Sequence, residues 1–527
     1  MTSDQILQAI QRAVAFQQAG QFGQAAALYR SVLASAPRQF EALHFLGLIE
    51  AQQGRLAEAE GLMARSLKVN AARPEAHANY ARVLLELDRA EDAIKSCDKA
   101  LAINPQAVDA LTIRGNALRD LGRNEPALAS IEKALALQPN NFVAWAARGT
   151  TLHDLYRYDE ALLSHDRSLA IAPNYVDALN NRGLTLHELG RPLDALEGYN
   201  RALVANPGFA AARWNRSIVN LDLGRLADGW RDFEARWTAI MGMKMRGYPQ
   251  PRWNGDHVHG TILTWADGGL GDEILFTSMV PELRPHADSI VVEVESRLVP
   301  LVARSFHDMQ VIARAPDRYR GHIDVQEPMA HLGSHLRRSW DEFPKRQAYL
   351  AADPVRTAQL RERLAHDGRM VVGVSWNSRN RKFGAAKSLD LREFVPFMRL
   401  PGCRFVDLQY GDTKAEREAV LREAGVGIEH LDDIDNTNDI DGLAALICAC
   451  DLVLTVSNTT AHLAGALGKP TWILMSRGNA RFWYWFSNRQ DSPWYPSVRL
   501  FRQPASGDWA PTLDRVRQEL EALALSS

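Results

Sequence analysis

The chain has 527 residues and a formal net charge of −2, with 46% apolar and 24% charged residues. This balance excludes a protein that binds nucleic acid through bulk positive charge, so we expect no nucleic-acid partner. Four scattered cysteines exclude a disulfide framework, and no apolar run approaches the roughly 18 residues of a membrane span, so we expect a cytoplasmic protein with no integral membrane segment.

Residues 1–238 repeat one pattern every 34 positions. One column of small residues runs Ala25, Ala59, Ala93, Ala127, Ala161, Ala195 and Gly229. A glycine column at 20, 54, 122, 190 and 224 has its two gaps filled by Asp88 and Tyr156. A proline column at 37, 105, 139, 173 and 207 is replaced once, by Ala71. This period resembles that of the tetratricopeptide repeat family, which implies two antiparallel helices per unit and an α-helical solenoid.

The repeat register separates core positions from surface positions. Cys97 and His165 fall in a column of bulky core residues, which favours packing over chemistry. Asn79, Asn181 and Asn215 share a column on the first helix of their repeats, which lines the concave surface in this family. The three asparagines either hydrogen-bond a peptide in an acceptor groove or are merely solvated. A solenoid supplies a long groove but no catalysis by itself.

Residues 239–258 have no period and contain prolines and glycines, so we interpret them as a connector. A first Rossmann-like domain is then predicted over residues 259–350. Its first strand, Thr261–Trp265, runs into a turn with Gly269 and Gly271 and then into a helix. Glycines in a strand-to-helix turn let the backbone approach a ligand closely, although this short pattern is weak evidence alone.

A second Rossmann-like domain is predicted over residues 351–509, followed by a C-terminal helix over 510–527. The stretch DLVLTVSNTTAHLAGALGKP, residues 451–470, indicates a buried strand, a polar turn and a helix. The free backbone N–H groups of that helix and the hydroxyls of Thr459 and Thr460 predict a phosphate site. The same residues are also ordinary helix caps, and His462 fits a packed structural histidine as well as a ligand contact.

Three segments carry a resemblance to a known enzyme family. They are the GLGD turn at 269–272, the strand and basic loop at 373–387, and the 451–470 stretch. With them, residues 260–525 resemble a two-domain GT-B glycosyltransferase of the ADP-heptose:lipopolysaccharide heptosyltransferase family, in the form fused to tetratricopeptide repeats. The layout is also similar to repeat-bearing O-linked N-acetylglucosamine transferases and to bacterial transferases that modify flagellin. The implied fold class is a tetratricopeptide solenoid followed by an α/β GT-B enzyme.

The resemblance implies roles for individual residues. Asp272 matches the base that deprotonates the acceptor hydroxyl, with the adjacent Glu273 as the alternative, and an N-cap role for Asp272 as a third interpretation. Arg379 and Lys387 match a loop that contacts the donor phosphates, unless that loop is merely solvated. Further donor contacts are expected from Gln409, Ser457, Asn458, Thr459, Thr460 and His462. The family often has Asp where this chain has Ser457, which leaves the sugar nucleotide open.

We therefore expect a glycosyltransferase that moves a sugar from a nucleotide-sugar co-substrate to a hydroxyl of a protein acceptor, with flagellin as one possibility. We predict no metal site and no cofactor, because no acidic pair follows a strand convincingly. Two alternatives remain. One is a transferase that acts on a glycan or lipopolysaccharide, and the other is a binding scaffold whose transferase domain is inactive.

Overall fold

A computed structural model describes residues 1–240, 242–314, 319–380, 384–477, 482–504 and 507–526. The chain forms two compact units, Met1–Phe209 and Ala210–Ser527. No helix among the described residues combines the length and the apolar character that a membrane crossing requires.

The first unit consists of six antiparallel helix pairs. Its helices are α1 Ser3–Gln18, α2 Phe22–Ser35, α3 Phe40–Gln52, α4 Leu56–Val69, α5 Pro74–Glu86, α6 Ala90–Ile103, α7 Val108–Asp120, α8 Asn124–Leu137, α9 Phe142–Asp154, α10 Tyr158–Ile171, α11 Val176–Glu188 and α12 Pro192–Ala205. The turn inside a pair needs a left-handed residue, and Gly20, Gly54, Gly122 and Gly190 supply it. Asp88 and Tyr156, which fill the gaps in that column, adopt the same conformation with φ of 60° and 61°.

Small residues let the paired helices approach closely. A methyl group added at Gly149 would lie 2.5 Å from the His165 ring, and one added at Gly183 would lie 2.5 Å from the Tyr199 ring. His165 and Tyr199 are both fully buried. The prediction that His165 is a packing residue is therefore confirmed, and His165 belongs to the core of the first unit.

The second unit begins with the seventh helix pair of the series, α13 Ala210–Asp222 and α14 Leu226–Asp232, and the short α15 Arg236–Ala239 follows. Trp230 donates from Nε1 to the Arg337 carbonyl oxygen at 2.8 Å and packs edge-on against Trp483. Asp222 accepts from the Ser487 N–H at 3.1 Å. The sequence period predicts a boundary at 238, but packing separates the units after 209, because the seventh pair shares the core of the α/β domains.

The first α/β domain holds a parallel sheet of four strands in the order β3-β2-β1-β4. The strands are β1 Val258–Trp265, β2 Ala287–Val294, β3 Gln310–Ala313 and β4 Val325–Pro328. The predicted connector is anchored on this sheet, because the Trp253 N–H donates to the Gln326 carbonyl oxygen at 3.1 Å. Helices of this domain are α16 Leu270–Thr277, α17 Val299–Ser305 and α18 Gly333–Leu336.

The second α/β domain holds a parallel sheet of five strands in the order β6-β5-β7-β8-β9. The strands are β5 Met370–Ser375, β6 Cys403–Asp407, β7 Leu452–Val456, β8 Thr471–Met475 and β9 Val498–Arg502. Its helices are α19 Pro354–Leu364, α20 Gly384–Lys387, α21 Val395–Met398, α22 Lys414–Ala424, α23 Ile440–Ala449, α24 Thr459–Ala466 and α25 Ala510–Ser526. The C-terminal helix α25 buries Val516 and Leu520 against this sheet, so it belongs to the second domain.

Both sheets reverse their strand order beside their first strand. In the first sheet β2 and β4 flank β1, and in the second sheet β6 and β7 flank β5. Loops leaving the carboxyl ends of strands diverge at such a point and open a crevice, which is where parallel α/β sheets hold ligands. The helices that follow β1 and β7 are α16 and α24, and their N-termini carry the two predicted turns.

His165 should make the first unit sensitive to acid. Burial lowers its pKa from 6.5 to about 3, and neither ring nitrogen has a hydrogen-bond partner. The unfolded chain therefore binds the extra proton below pH 6.5, and stability falls as the pH drops. At pH 5.5 the loss from this one group should be about 1.4 kcal/mol relative to neutral pH.

Replacing His165→Phe should remove that loss, because the aromatic ring of Tyr199 already packs in the equivalent place. Thermal unfolding at pH 7.5 and 5.5 should show a smaller acid shift in the variant than in the wild type. The exposed His307→Gln variant should keep the wild-type shift. Equal acid shifts in wild type and His165→Phe would contradict the assignment.

Candidate functional site

One cavity of about 340 Å³ lies where α16 of the first α/β domain packs against α24 of the second. Its volume is in the range of small-molecule sites. The cavity brings together all of the predicted catalytic, donor-binding and glycine-turn residues except Gln409. They are Gly269, Gly271, Asp272, Arg379, Lys387, Ser457, Asn458, Thr459, Thr460 and His462.

The N-terminus of α24 is held by Asn458. Its Oδ1 accepts from the Ala461 N–H at 3.2 Å, which caps the helix. Its Nδ2 donates to Ser375 Oγ at 2.8 Å and to the Asn377 carbonyl oxygen at 3.1 Å, which ties the turn after β7 to the end of β5. Asn458 therefore mainly stabilises the turn. Thr459 and Thr460 at the first turn of α24 line the cavity, where the buried Thr460 hydroxyl donates to the Leu408 carbonyl oxygen at 3.5 Å.

Gln409 is the exception among the predicted donor contacts. It is buried outside the cavity lining, and its Oε1 accepts from the backbone N–H groups of Trp376 and Asn377 at 3.0 and 2.8 Å. Its Nε2 donates to the Tyr410 carbonyl oxygen at 3.1 Å. Gln409 therefore holds the loop after β5 through Oε1 and the loop after β6 through Nε2, and its contact with a base or ribose stays a prediction.

Asp272 occupies the third position of α16 and is half-buried in the cavity wall. Its Oδ2 accepts from the Gly269 N–H at 3.1 Å, so it closes the first turn of the helix from within. Burial raises the pKa of the Asp272 carboxyl, while the Gly269 N–H and the Lys387 ammonium oppose that rise. A desolvated carboxylate in this position has the properties of a general base.

The neighbouring Glu273 is turned away from the cavity. Its Oε2 accepts from the Glu295 N–H at 2.7 Å, and its Oε1 pairs with the Arg314 guanidinium. Burial raises the pKa of Glu273 to about 7, against the lowering effect of the Glu295 N–H and Arg314. Because both of its oxygens are occupied by protein groups, Glu273 is the weaker of the two candidate bases.

Lys387 contributes a buried ammonium group to the lining of the same cavity. Only 4% of the residue is exposed, and its Nζ lies 4.4 Å from the centre of the Phe482 ring. Burial lowers the pKa of Lys387 to about 8, an effect that Asp272 partly offsets. Arg379 is exposed and lies against Gly411. The other two basic residues of the predicted loop, at positions 381 and 382, fall outside the described part of the chain.

His462 and Ser457 are fixed by an aromatic cluster. The His462 ring stacks on Trp485 with 5.0 Å between centroids, and Trp485 donates from Nε1 to Ser457 Oγ at 2.9 Å. Burial lowers the pKa of His462 to about 3, so the ring is neutral near pH 7. His462 therefore adds no positive charge to a phosphate site, and its contact with the donor stays a prediction.

Several residues of the cavity lining were missed by sequence analysis. Arg297 could have been predicted from its position in the sequence. It follows β2, and the carboxyl ends of parallel strands meet at one edge of the sheet. Its guanidinium donates to the Thr437 carbonyl oxygen at 2.8 Å and so bridges the two α/β domains. The remaining lining residues are Leu270, Ser378, Asn380, Tyr410, Asn436, Thr437, Ile440, Leu443, Phe482 and Tyr484.

The three predicted groove asparagines lie on the first helices of their pairs. In the first unit Asn79 hydrogen-bonds His44 Nε2 at 3.2 Å, and Asn181 donates to Thr150 Oγ1 at 3.0 Å. Each amide therefore links two successive first helices, which leaves part of its hydrogen-bonding capacity for a ligand. Asn215 lies on α13 in the second unit.

One group of possible metal ligands occurs among the described residues. Glu327, His331 and His335 place ligand atoms within 4.8 Å of one another. The Arg252 guanidinium donates to Glu327 at 2.6 Å and to His331 Nδ1 at 2.7 Å, so it already supplies positive charge there. None of the three potential ligands lines the cavity of the predicted site.

Comparison with protein families identifies the helical repeats. Models described as tetratricopeptide repeat match residues 10–74 and 177–240, residues 50–115, residues 108–141 and residues 130–162. Among solved structures, a tetratricopeptide repeat protein from Parabacteroides merdae covers 46% of this chain and 95% of its own, with 18% identity and a TM-score of 0.39. The protein TTC0263 from Thermus thermophilus covers 35% of this chain and 100% of its own, with 24% identity and a TM-score of 0.33.

Among curated proteins, the chain is similar to Protein FlbA of Caulobacter vibrioides. The two are 34% identical over 324 residues, which is 57% of this chain and 53% of FlbA. The chain thus spans about half the length of this relative. The N-terminal part of the chain, over roughly its first 240 residues, contains tetratricopeptide repeats.

Proposed function

We propose that this protein is a glycosyltransferase that moves a sugar from a nucleotide-sugar donor to a hydroxyl of a protein acceptor held by the repeats. The observation that carries the proposal is the convergence of two helix N-termini, a carboxylate and a buried ammonium group on one cavity. Those groups are the first turns of α16 and α24 together with Asp272 and Lys387. The arrangement suits a reaction in which a proton leaves a hydroxyl while negative charge develops on a phosphate.

The proposed chemistry divides between the two α/β domains. The acceptor oxygen attacks the anomeric carbon, and its proton passes to Asp272, the one carboxylate among the described residues that line the cavity. The bond from the anomeric carbon to the phosphate oxygen breaks, and the phosphate charge is stabilised by Lys387 and by the N–H groups and dipole of α24. Fixed protein cations and dipoles in a water-poor cavity are effective in this role.

A protein acceptor is the substrate class that fits the repeats. The first unit stacks helix pairs over about two hundred residues, and such arrays bind extended peptides or helices. Asn79 and Asn181 keep free hydrogen-bonding capacity on the first helices. The similarity to FlbA covers only about half of that protein, and the likeness to flagellin-modifying transferases comes from the sequence resemblance alone. Flagellin is therefore the first acceptor to test.

Lys387→Met should weaken the binding of nucleotides and nucleotide sugars. Loss of one charge-assisted contact costs about 1.5–3 kcal/mol, or roughly a 10- to 100-fold loss of affinity. Because the pKa of Lys387 is lowered to about 8, wild-type affinity measured by calorimetry should fall between pH 7 and pH 9, as the ammonium loses its proton. The variant should lose this pH dependence.

The exposed Lys414→Met variant, matched in chemistry but outside the cavity, should behave as the wild type does. Wild-type affinity in Lys387→Met at pH 7 would remove Lys387 from the proposed donor site.

Asp272→Asn should abolish most of the transfer while nucleotide binding persists. The amide keeps the shape and can still accept from the Gly269 N–H, but it cannot take a proton. Loss of a general base lowers turnover by about 10²-fold or more. Glu273→Gln is the matched control, because its oxygens are bound by Arg314 and the Glu295 N–H. Turnover of the two variants is measured by mass spectrometry of the product. It should fall in Asp272→Asn and stay normal in Glu273→Gln, and the reverse result would make Glu273 the base.

Removing residues 1–209 should separate donor chemistry from acceptor recognition. The cut leaves the second unit intact, including the Trp230 contacts that a cut after 238 would destroy. The truncated protein should bind nucleotides with wild-type affinity, and that binding also verifies that it folds. It should not glycosylate unmodified flagellin, which intact-mass analysis of the flagellin would detect. Normal transfer by the truncated protein would show that the repeats do not recruit the acceptor. Failure of the full-length protein to bind any nucleotide sugar would favour the scaffold alternative.

A further inference from the structure

Three junctions between helix pairs of the first unit contain the same ion pair. In each, an arginine on the first helix of a pair bonds a carboxylate that lies 16 positions earlier, on the preceding second helix. The ion pairs are Arg114–Asp98 at 2.7 Å, Arg148–Glu132 at 3.0 Å and Arg182–Asp166 at 2.6 Å. They therefore link α6 to α7, α8 to α9 and α10 to α11 in the same way.

The sequence excludes this ion pair at the junction between α4 and α5. The 34-residue period places Ala64 at the position of the carboxylate and Tyr80 at that of the arginine. The proline column also lapses here, at Ala71. At the junction between α2 and α3 the carboxylate position holds Arg30, which bonds Glu50 at 2.6 Å. A cavity of about 640 Å³ lies at the α4–α5 junction, where Ala64, Ala71 and Tyr80 line it.

This cavity belongs to the surface of the second helices. Most of its lining comes from α4 and α6, which are the second helices of their pairs. From α5 it takes His77, Tyr80 and Leu84, which lie on one side of that helix because they are three and four residues apart. Asn79, predicted for the acceptor groove, is not among the residues described in the lining. The cavity is therefore distinct from the predicted groove of the first helices.

The charged side chains around the cavity are mostly cations. Asp92 is engaged by Arg89 at 2.8 Å and by Lys95 at 3.1 Å. Lys68 on α4 and Lys99 on α6 are exposed, and neither has an ion pair within the described ranges of the chain. Four cations thus accompany a single carboxylate, which is already paired. The positive charge that remains favours an anionic ligand.

The same cavity also presents apolar side chains. Leu67, Leu84 and Ile103 line it from α4, α5 and α6, and Ile103 is 43% exposed. An apolar ligand side chain buried here would remove this surface from water. One short peptide can supply both that side chain and carboxylates for the lysines. A nucleic acid would offer phosphates but no aliphatic side chain, so the combination favours a peptide.

We propose that this cavity docks an acidic peptide segment of a partner protein. An aliphatic or aromatic side chain of the segment occupies the space beside Ala64 and Tyr80, and its carboxylates pair with Lys68 and Lys99. The site is a second interaction surface of the repeats and does not depend on the proposed transfer chemistry.

The array itself supplies the variant that tests this site. Ala64→Asp combined with Tyr80→Arg installs the ion pair that Asp98 and Arg114 form in the next repeat, so the variant should fold with the cavity filled. A second double variant, Lys68→Glu with Lys99→Glu, reverses two exposed charges. Lys133→Glu is the matched control, because Lys133 is exposed and occupies the register position of Lys99 one repeat later. Thermal melting followed by circular dichroism verifies folding.

The probe is a library of random twelve-residue peptides displayed on phage and selected on the full-length wild-type protein. Enriched peptides are synthesised, and their affinities are measured by fluorescence anisotropy. Selection should enrich peptides with carboxylates beside an aliphatic or aromatic residue. Their affinity should fall about 10-fold or more in both double variants and stay at the wild-type value in Lys133→Glu. Enrichment of no acidic peptides, or wild-type affinity in the cavity-filled variant, would overturn the proposal.

A labelled RNA of twelve uridines tests the nucleic-acid alternative with the same variants. RNA binding that falls in Lys68→Glu/Lys99→Glu but survives filling of the cavity would show a general anion surface and overturn the peptide site. If the cavity-filled variant fails to fold, the lysine variant still decides, because its two substitutions lie on exposed side chains. Wild-type affinity of that variant for the enriched acidic peptides would then refute the site.

Discussion

The close approach of α16 to α24 is the constraint on which the site depends. It is possible because residue 271 is glycine, since any side chain there would press on the His462 ring. The approach directs the N-terminal ends of two helix dipoles, which repel each other, toward one cavity. Lys387 adds a buried cation whose pKa is lowered for lack of solvent. The cavity is therefore prepared for an anion, and one bound between the domains would relieve the repulsion.

Two arginine contacts hold the two domains in this relation. Arg304 forms a two-point ion pair with Asp441 at 2.6 and 2.7 Å outside the cavity lining, and Arg297 donates to the Thr437 carbonyl oxygen within that lining. Behind the cavity, the Tyr349 hydroxyl donates to the Ile274 carbonyl oxygen in α16 at 2.6 Å, and the Tyr495 hydroxyl is hydrogen-bonded to His462 Nδ1 in α24 at 2.9 Å. Bidentate arginine pairs and partly buried hydrogen bonds add geometric specificity as well as energy. The same contacts that join the domains thus orient the side chains that face the ligand.

The seventh helix pair belongs to the core of the second unit. It follows the repeat register, yet its core residues Leu221, Trp230 and Phe233 pack with the α/β domains. Trp230 contacts Trp483, next to the cavity residues Phe482 and Tyr484, and Asp222 holds Ser487 just beyond them. The seventh helix pair therefore packs against the aromatic segment that contains Trp483. This packing explains why the two units divide after Phe209, although the 34-residue period continues to residue 238.

Local sequence patterns determined the elements of this protein. The 34-residue period gave the helix pairs, and even the two irregular turn positions, Asp88 and Tyr156, adopt the left-handed conformation of the glycines they replace. Residues 451–470 form the predicted strand, turn and helix, because apolar runs and turn residues act over a few neighbours. Tertiary structure alone decided which side chains remain available to a ligand. The Gln409 side chain is occupied by backbone N–H groups, Glu273 is paired with Arg314, and burial lowers the pKa of His462 so that its ring is neutral. Hydrogen-bond partners and burial of this kind depend on residues far apart in sequence, and no local pattern records them.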